Sequence, residues 1–238
     1  MKIMVTGDSH SGPIGRGLQM LRDAKKEPSG IVVRPLGIGN LLPTAFFRDA
    51  GTHAEILPPE FRKNLEQLPP AMPQVDVMAL SMPLWPMRVV HKMNRQKLTL
   101  NPEFETDQLI SHQVFQQMVL TEQQYVLKLI GLFQRQNIRT VVISGPGLFR
   151  DNGLFARRPH PYVFGIFNRY REIMKTELSR RDVPVLDIPA AALDDEGFMH
   201  DALRHPNPKD GHHANGDYGL MVLEQLQTWR SQVSLESA

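Results

Sequence analysis

Cysteine is absent from the 238 residues, which excludes a disulfide framework, a thiol nucleophile and every cysteine-ligated metal centre. Net charge is nearly absent as well. The 27 Lys+Arg and 25 Asp+Glu leave +2, too little for a nucleic-acid binder that works through bulk positive charge. No apolar run approaches the roughly 20 residues of a membrane span. Thr140–Ser144, with its two valines and isoleucine, is strand-sized. The opening Met1-Lys2-Ile3-Met4-Val5-Thr6-Gly7 predicts a strand, not the long apolar stretch of a leader, and the reading is a cytoplasmic protein. What is present, 41% hydrophobic and 22% charged residues, suits one large α/β domain over residues 1–238.

Five short runs predict strands: Ile3–Thr6, Ile31–Leu36, Val75–Ser81, Thr140–Ser144 and Val183–Ile188. Each is nearly continuous in apolar character, as expected of central parallel strands covered on both faces. Helical spacing of apolar residues predicts helices over Ile14–Lys25, Thr121–Gln136, Tyr162–Arg181 and Gly216–Trp229. Strands alternating with helices imply βαβ units and a mainly parallel five-stranded sheet. The stretch 83–108 lacks a clear period, carries Trp85, Arg88, His91, Lys92, Arg95 and Lys97, and reads as a lid or loop insertion.

Ligands of open parallel sheets bind beyond the carboxyl ends of the strands, which shortens the search for chemistry. Ser9 follows the first strand in Gly7-Asp8-Ser9-His10, where a sharp turn exposes its hydroxyl beside a helix N-terminus. A serine hydroxyl needs a base, and the base an orienting carboxylate. Asp210 and His213 supply both from one loop, because a three-residue offset lets the carboxylate reach back to the imidazole. Gly-Asp-Ser is also a common helix cap, and Asp-x-x-His alone is a weak motif; the placement of the two at strand ends makes them candidates for catalysis. His212 is a second candidate base. His10 reads as a surface histidine at a helix start.

Gly7-Asp8-Ser9, with Asp210-x-x-His213-x-Asn215-x-x-x-x-Gly219 before the final helix, resembles the SGNH (GDSL-like) hydrolase family over essentially the whole chain. The resemblance implies a flavodoxin-like three-layer α/β/α sandwich and a serine esterase acting on a carboxylic ester, such as an O-acetylated carbohydrate, through an acyl-enzyme. It implies Ser9 as nucleophile, His213 as base and Asp210 as orienting carboxylate, with neither metal nor cofactor required. The oxyanion donors would be the Ser9 amide and that of Gly37 or Gly39. The family's further donor, an asparagine after the third strand, is missing: the chain reads Ser81-Met82-Pro83, leaving Asn40 and Asn152 as substitutes. Trp85, Arg157 and Arg158 lie where a substrate would be bound, the arginines suiting an anionic one. Acyl transfer and a non-catalytic carbohydrate- or partner-binding role are alternatives on the same fold. Asp8-x-His10 also opens the pattern of a metal-dependent phosphoesterase, whose remaining blocks the chain lacks.

Overall fold

A computed structural model describes residues 1–236. In chain order the elements are β1 (Ile3–Gly7), α1 (Ser11–Asp23), β2 (Ile31–Val33), β3 (Phe47–Asp49), β4 (Ala54–Ile56), α2 (Pro59–Arg62), β5 (Gln67–Leu68) and β6 (Val77–Ser81). There follow α3 (Met87–Arg95), β7 (Leu98–Thr99), β8 (Gln108–Leu109), α4 (His112–Glu122), α5 (Gln124–Arg135), β9 (Arg139–Ile143), α6 (His160–Ser179), β10 (Val185–Leu186) and α7 (Gly216–Glu236).

β1, β2, β6, β9 and β10 build a five-stranded parallel sheet in the order β10-β9-β6-β1-β2. Renumbered along the chain this is the flavodoxin-like order 2-1-3-4-5 read from the β2 edge. The continuous apolar runs serve two cores at once, because side chains alternate across a strand. Ile3, Val5, Val77, Ala79, Val141 and Ile143 face the core shared with α1 and α7. Met4, Met78, Leu80 and Val142 face the larger core shared with α3, α4, α5 and α6. The result is the expected three-layer sandwich.

Several boundaries differ from expectation. The stretch 83–108 is not a loop: α3 buries Met87, Val89, Val90 and Met93, and β7 pairs with β8. The helix expected over Thr121–Gln136 is two, α4 and α5, meeting at Gln123, whose buried amide donates to the Tyr170 hydroxyl at 2.6 Å. A meander of β3, β4 and β5 occupies a region in which no element was expected. β10 keeps only Val185–Leu186 of its longer run.

α1 and α7 cross with their backbones nearly touching. A Cβ on Gly219 would fall 1.9 Å from the Pro13 carbonyl oxygen, and one on Gly17 2.6 Å from the Gly219 carbonyl carbon. Only glycine fits at either position. The crossing sets the first turns of both helices side by side, and Arg16 adds a hydrogen bond from Nη2 to the Ala214 carbonyl at 2.7 Å.

Candidate active site

β1 ends at Gly7, where a Cβ would lie 2.2 Å from the Ser81 carbonyl oxygen of β6, so glycine is required for the chain to leave the sheet there. The turn that follows is tied internally. The Ser11 amide and hydroxyl both donate to the Asp8 carbonyl, at 3.0 and 2.7 Å, and the Gly12 amide donates to the Ser9 carbonyl at 3.0 Å. Asp8 Oδ1 accepts the His10 amide at 3.0 Å. Burial raises the Asp8 carboxyl to about 7, against the lowering effects of the His10 amide and the Arg88 charge. Ser9 itself is half-buried.

On the facing side, the segment before α7 is pinned by the bridge between Arg204 and Ala214 and by the His205 amide on the His213 carbonyl at 3.1 Å. Asn215 Oδ1 caps α7 by accepting the Asp217 and Tyr218 amides. The Asp210 carboxylate accepts His213 Nδ1 at 2.8 and 3.0 Å and the amides of His213 and His212 at 3.0 and 3.3 Å. Burial pushes that carboxyl up, but the hydrogen bonds from the His213 ring and the two amides outweigh it and hold Asp210 at about 2. It is therefore ionised at neutral pH and takes its hydrogen bond from Nδ1–H of His213, the tautomer in which the lone pair of a neutral ring sits on Nε2.

Two histidines share this interior. The His10 ring is sandwiched between Trp85, at 4.1 Å between centroids, and His213, at 4.9 Å. The expected surface histidine is thus a buried one, only 3% exposed, and burial, then the charges of His213 and His212, drive it well below the usual histidine range. It packs as a neutral ring against His213. His10 Nδ1 and His213 Nε2 are both buried without a hydrogen-bond partner. Of the two bonds that the expected triad needs, Asp210 to His213 is formed. No Ser9–His213 hydrogen bond is formed among the described residues, and His213 Nε2 is without a partner there. His212 packs tilted against His213, 3.9 Å between centroids, and is half exposed; burial, then the His213 charge, lowers it too.

The two glycines expected at the oxyanion position separate clearly. Gly37 packs on Phe61, where a Cβ would meet the ring at 2.3 Å, and its amide is committed to the Gly7 carbonyl at 3.4 Å. Gly39 lies over Asp8 and Arg88: a Cβ there would sit 3.1 Å from Asp8 Oδ2 and 3.7 Å from the Arg88 Nη1. Asn40 is exposed. Asn152 uses Oδ1 to hold the Leu154 amide at 3.1 Å and lines the adjoining cleft.

That cleft, of about 510 Å³, runs past Trp85, Arg88, His91, Asn152, Arg157 and His212. Arg157 is exposed and makes no ion pair among the described residues, whereas Arg88 is paired with Glu122 at 2.6 Å. Arg158, expected to act beside Arg157, is turned away. Its guanidinium grips Asp107 at 2.6 and 3.1 Å and Asn94 at 2.6 Å while lying over the Tyr162 ring. It ties α3 to the β7–β8 segment instead of facing substrate. His91 and Arg88, two of the basic residues read in the stretch 83–108, reach the cleft from α3. Among the described residues, the group of side chains spaced to hold a metal ion is Asp210, His212 and His213; Asp8 and His10, the pair a phosphoesterase would use, are not in it.

No protein-family model and no curated protein matches the chain. Solved structures do. An acylhydrolase assignment from Bacteroides fragilis aligns at TM-score 0.53 and 11% identity, over 98% of this chain and 87% of its own. An extracellular lipase from Streptomyces rimosus aligns at 0.52 and 9%, over 96% of this chain and 99% of its own. A protein from Streptococcus pneumonia named for platelet activating factor aligns at 0.53 and 12%, over 96% and 83%. The fold of this chain is that of the SGNH-like hydrolases. No helix among the described residues is long and apolar enough to cross a membrane.

Proposed function

We propose that the chain is a serine esterase in which Ser9 attacks an acyl ester, His213 accepts its proton at Nε2, and Asp210 keeps that imidazole in the required tautomer. The observation that supports it most is the Asp210–His213 couple: an ionised carboxylate on Nδ1, with Nε2 unpartnered beside the turn that carries Ser9. The acyl group passes to Ser9 as the alcohol leaves with a proton from His213. Water, deprotonated at the same nitrogen, then releases the acid. The Ser9 and Gly39 amides are the oxyanion donors in this reading, and the Asn152 amide stands in for the asparagine missing after β6. The hydrolase names of the similarly folded proteins are consistent with this chemistry.

The test is labelling of the purified protein by a fluorophosphonate probe, followed by turnover of p-nitrophenyl esters of increasing chain length. Labelling is expected in the native protein and lost in Ser9→Ala. Labelling that survives the substitution ends the proposal. The unpaired charge of Arg157 in the cleft points to esters carrying an anionic group. Arg157→Ala is therefore expected to raise KM for anionic esters by about tenfold and to leave neutral ones unchanged, as a lost charge-assisted contact of 1–2 kcal/mol implies. Equal effects on both would remove Arg157 from substrate recognition.

A further inference from the structure

Asp210 gathers more imidazole than a catalytic couple needs. His213 Nδ1 lies 2.8 Å from its Oδ2, His212 Nδ1 lies 3.4 Å from Oδ1, and His205 Nδ1 lies 3.7 Å from Oδ2. His205 is already engaged, since its Nδ1 accepts the Asn207 amide at 3.2 Å. His212 is not: among the described residues no hydrogen bond uses its ring, and half of the side chain faces solvent. One ligand atom from each of Asp210, His212 and His213 lies within 4.8 Å of the other two. An ion with bonds of about 2.0–2.1 Å at tetrahedral angles separates its ligands by about 3.3 Å. Asp210 Oδ1 lies 3.4 Å from His212 Nδ1, already that spacing, and 3.0 Å from His213 Nδ1, which needs to open by only ~0.3 Å.

We propose that Asp210, His212 and His213 form a binding site for a zinc-like divalent transition-metal ion, with water completing the coordination, and that its occupancy switches the serine chemistry off. Two neutral imidazoles and one carboxylate are donors suited to zinc, not to calcium or magnesium. The inhibition follows from proton bookkeeping on one ring. The ion takes the Nδ1 lone pair of His213, so the proton held there leaves and another is taken up at Nε2. The ring stays neutral and Asp210 stays ionised, but Nε2 has become a donor and no longer accepts the Ser9 proton. Arg16, a positive charge coupled to Asp210, is held on the Ala214 carbonyl and keeps the affinity moderate. The inhibitory half of the proposal rests on the esterase reading; the binding half does not.

The experiment titrates Zn²⁺ into the EDTA-treated full-length protein by calorimetry and, in parallel, follows the rate of fluorophosphonate labelling. One ion per chain is expected, bound about tenfold or more weakly in both His212→Ala and His212→Gln. Labelling is expected to slow as the site fills, to recover with EDTA, and to lose its zinc sensitivity in the His212 variants. Absence of saturable binding, binding unchanged in both variants, or faster labelling with zinc each overturns the proposal. A protein that binds one ion through His212 but never labels, even metal-free, keeps the site and discards the esterase.

Discussion

Asp8 carries a carboxyl group into the interior beside Ser9, and its protonation couples stability to pH. Burial raises it from 3.8 to about 7, with the His10 amide and Arg88 only partly opposing this. The folded state therefore holds the proton more tightly than the unfolded one. The stability this brings is complete below about pH 4, is lost progressively as pH rises to about 7, and changes no further above that. Asp8→Asn keeps the oxygen that accepts the His10 amide and removes the ionisation. Its stability advantage over the native protein is expected to grow between pH 4 and 7, by at most about 4 kcal/mol, and then to level off. Denaturant unfolding at several pH values measures it, and a difference independent of pH would show that Asp8 is not ionising in the fold. The same scale shows what the sequence conveyed about the site. Asp210 and His213 were legible because their three-residue offset is local, and a carboxylate can cap and orient the ring without help from distant chain. The burial of His10 was not legible, since it depends on Trp85 arriving from the end of β6. Nor was the fate of Arg158, which the short β7–β8 pairing settles by supplying Asp107.

At the level of elements, the α1–α7 crossing carries the sharpest expectation. Gly219→Ala places a methyl group against the Pro13 backbone, which no rotamer relieves, and is expected to cost about 3 kcal/mol or more. Gly165→Ala, in the middle of α6 with open space around it, is expected instead to stabilise by ~0.5–1 kcal/mol. Thermal unfolding of the pair distinguishes a packing requirement from helix propensity, and a Gly219→Ala as stable as native would mean that the helices do not approach this closely. The five central strands were readable because burial on both faces erases alternation and leaves continuous apolar runs. β3, β4 and β5 were not, being only two or three residues long, too short to show a period even though Phe47, Ala54, Ile56 and Leu68 are buried in the core. α3 had a readable signal in Met87, Val90 and Met93 at three-residue spacing, overshadowed by the basic residues between them. The break at Gln123 has no local sequence signature, because its partner, Tyr170, lies in another helix.

Across the whole molecule, Arg171 joins the ends of three strands. From α6, nearly buried, its guanidinium donates to the Leu84 carbonyl beyond β6 at 3.2 Å, to the Ser144 hydroxyl beyond β9 at 2.7 Å, and to Asp187 beyond β10, which Lys175 also holds. Arg171→Met fills similar volume but leaves the Leu84 carbonyl without this donor and weakens the hold on Asp187. A loss of about 3 kcal/mol is expected, seen as a lower urea midpoint with an unchanged m-value. An unchanged midpoint would mean that the strand ends are set by the sheet alone.

The glycine crossing of α1 and α7 also has a consequence in time. During synthesis the hydroxyl of Ser9 leaves the ribosome roughly two hundred residues ahead of the imidazole proposed to activate it. The loop bearing that imidazole leads directly into α7, whose glycines lie against α1. If the proposed chemistry holds, a nascent chain stays inert until α7 has been made, and removal of α7 is expected to abolish labelling by the fluorophosphonate probe.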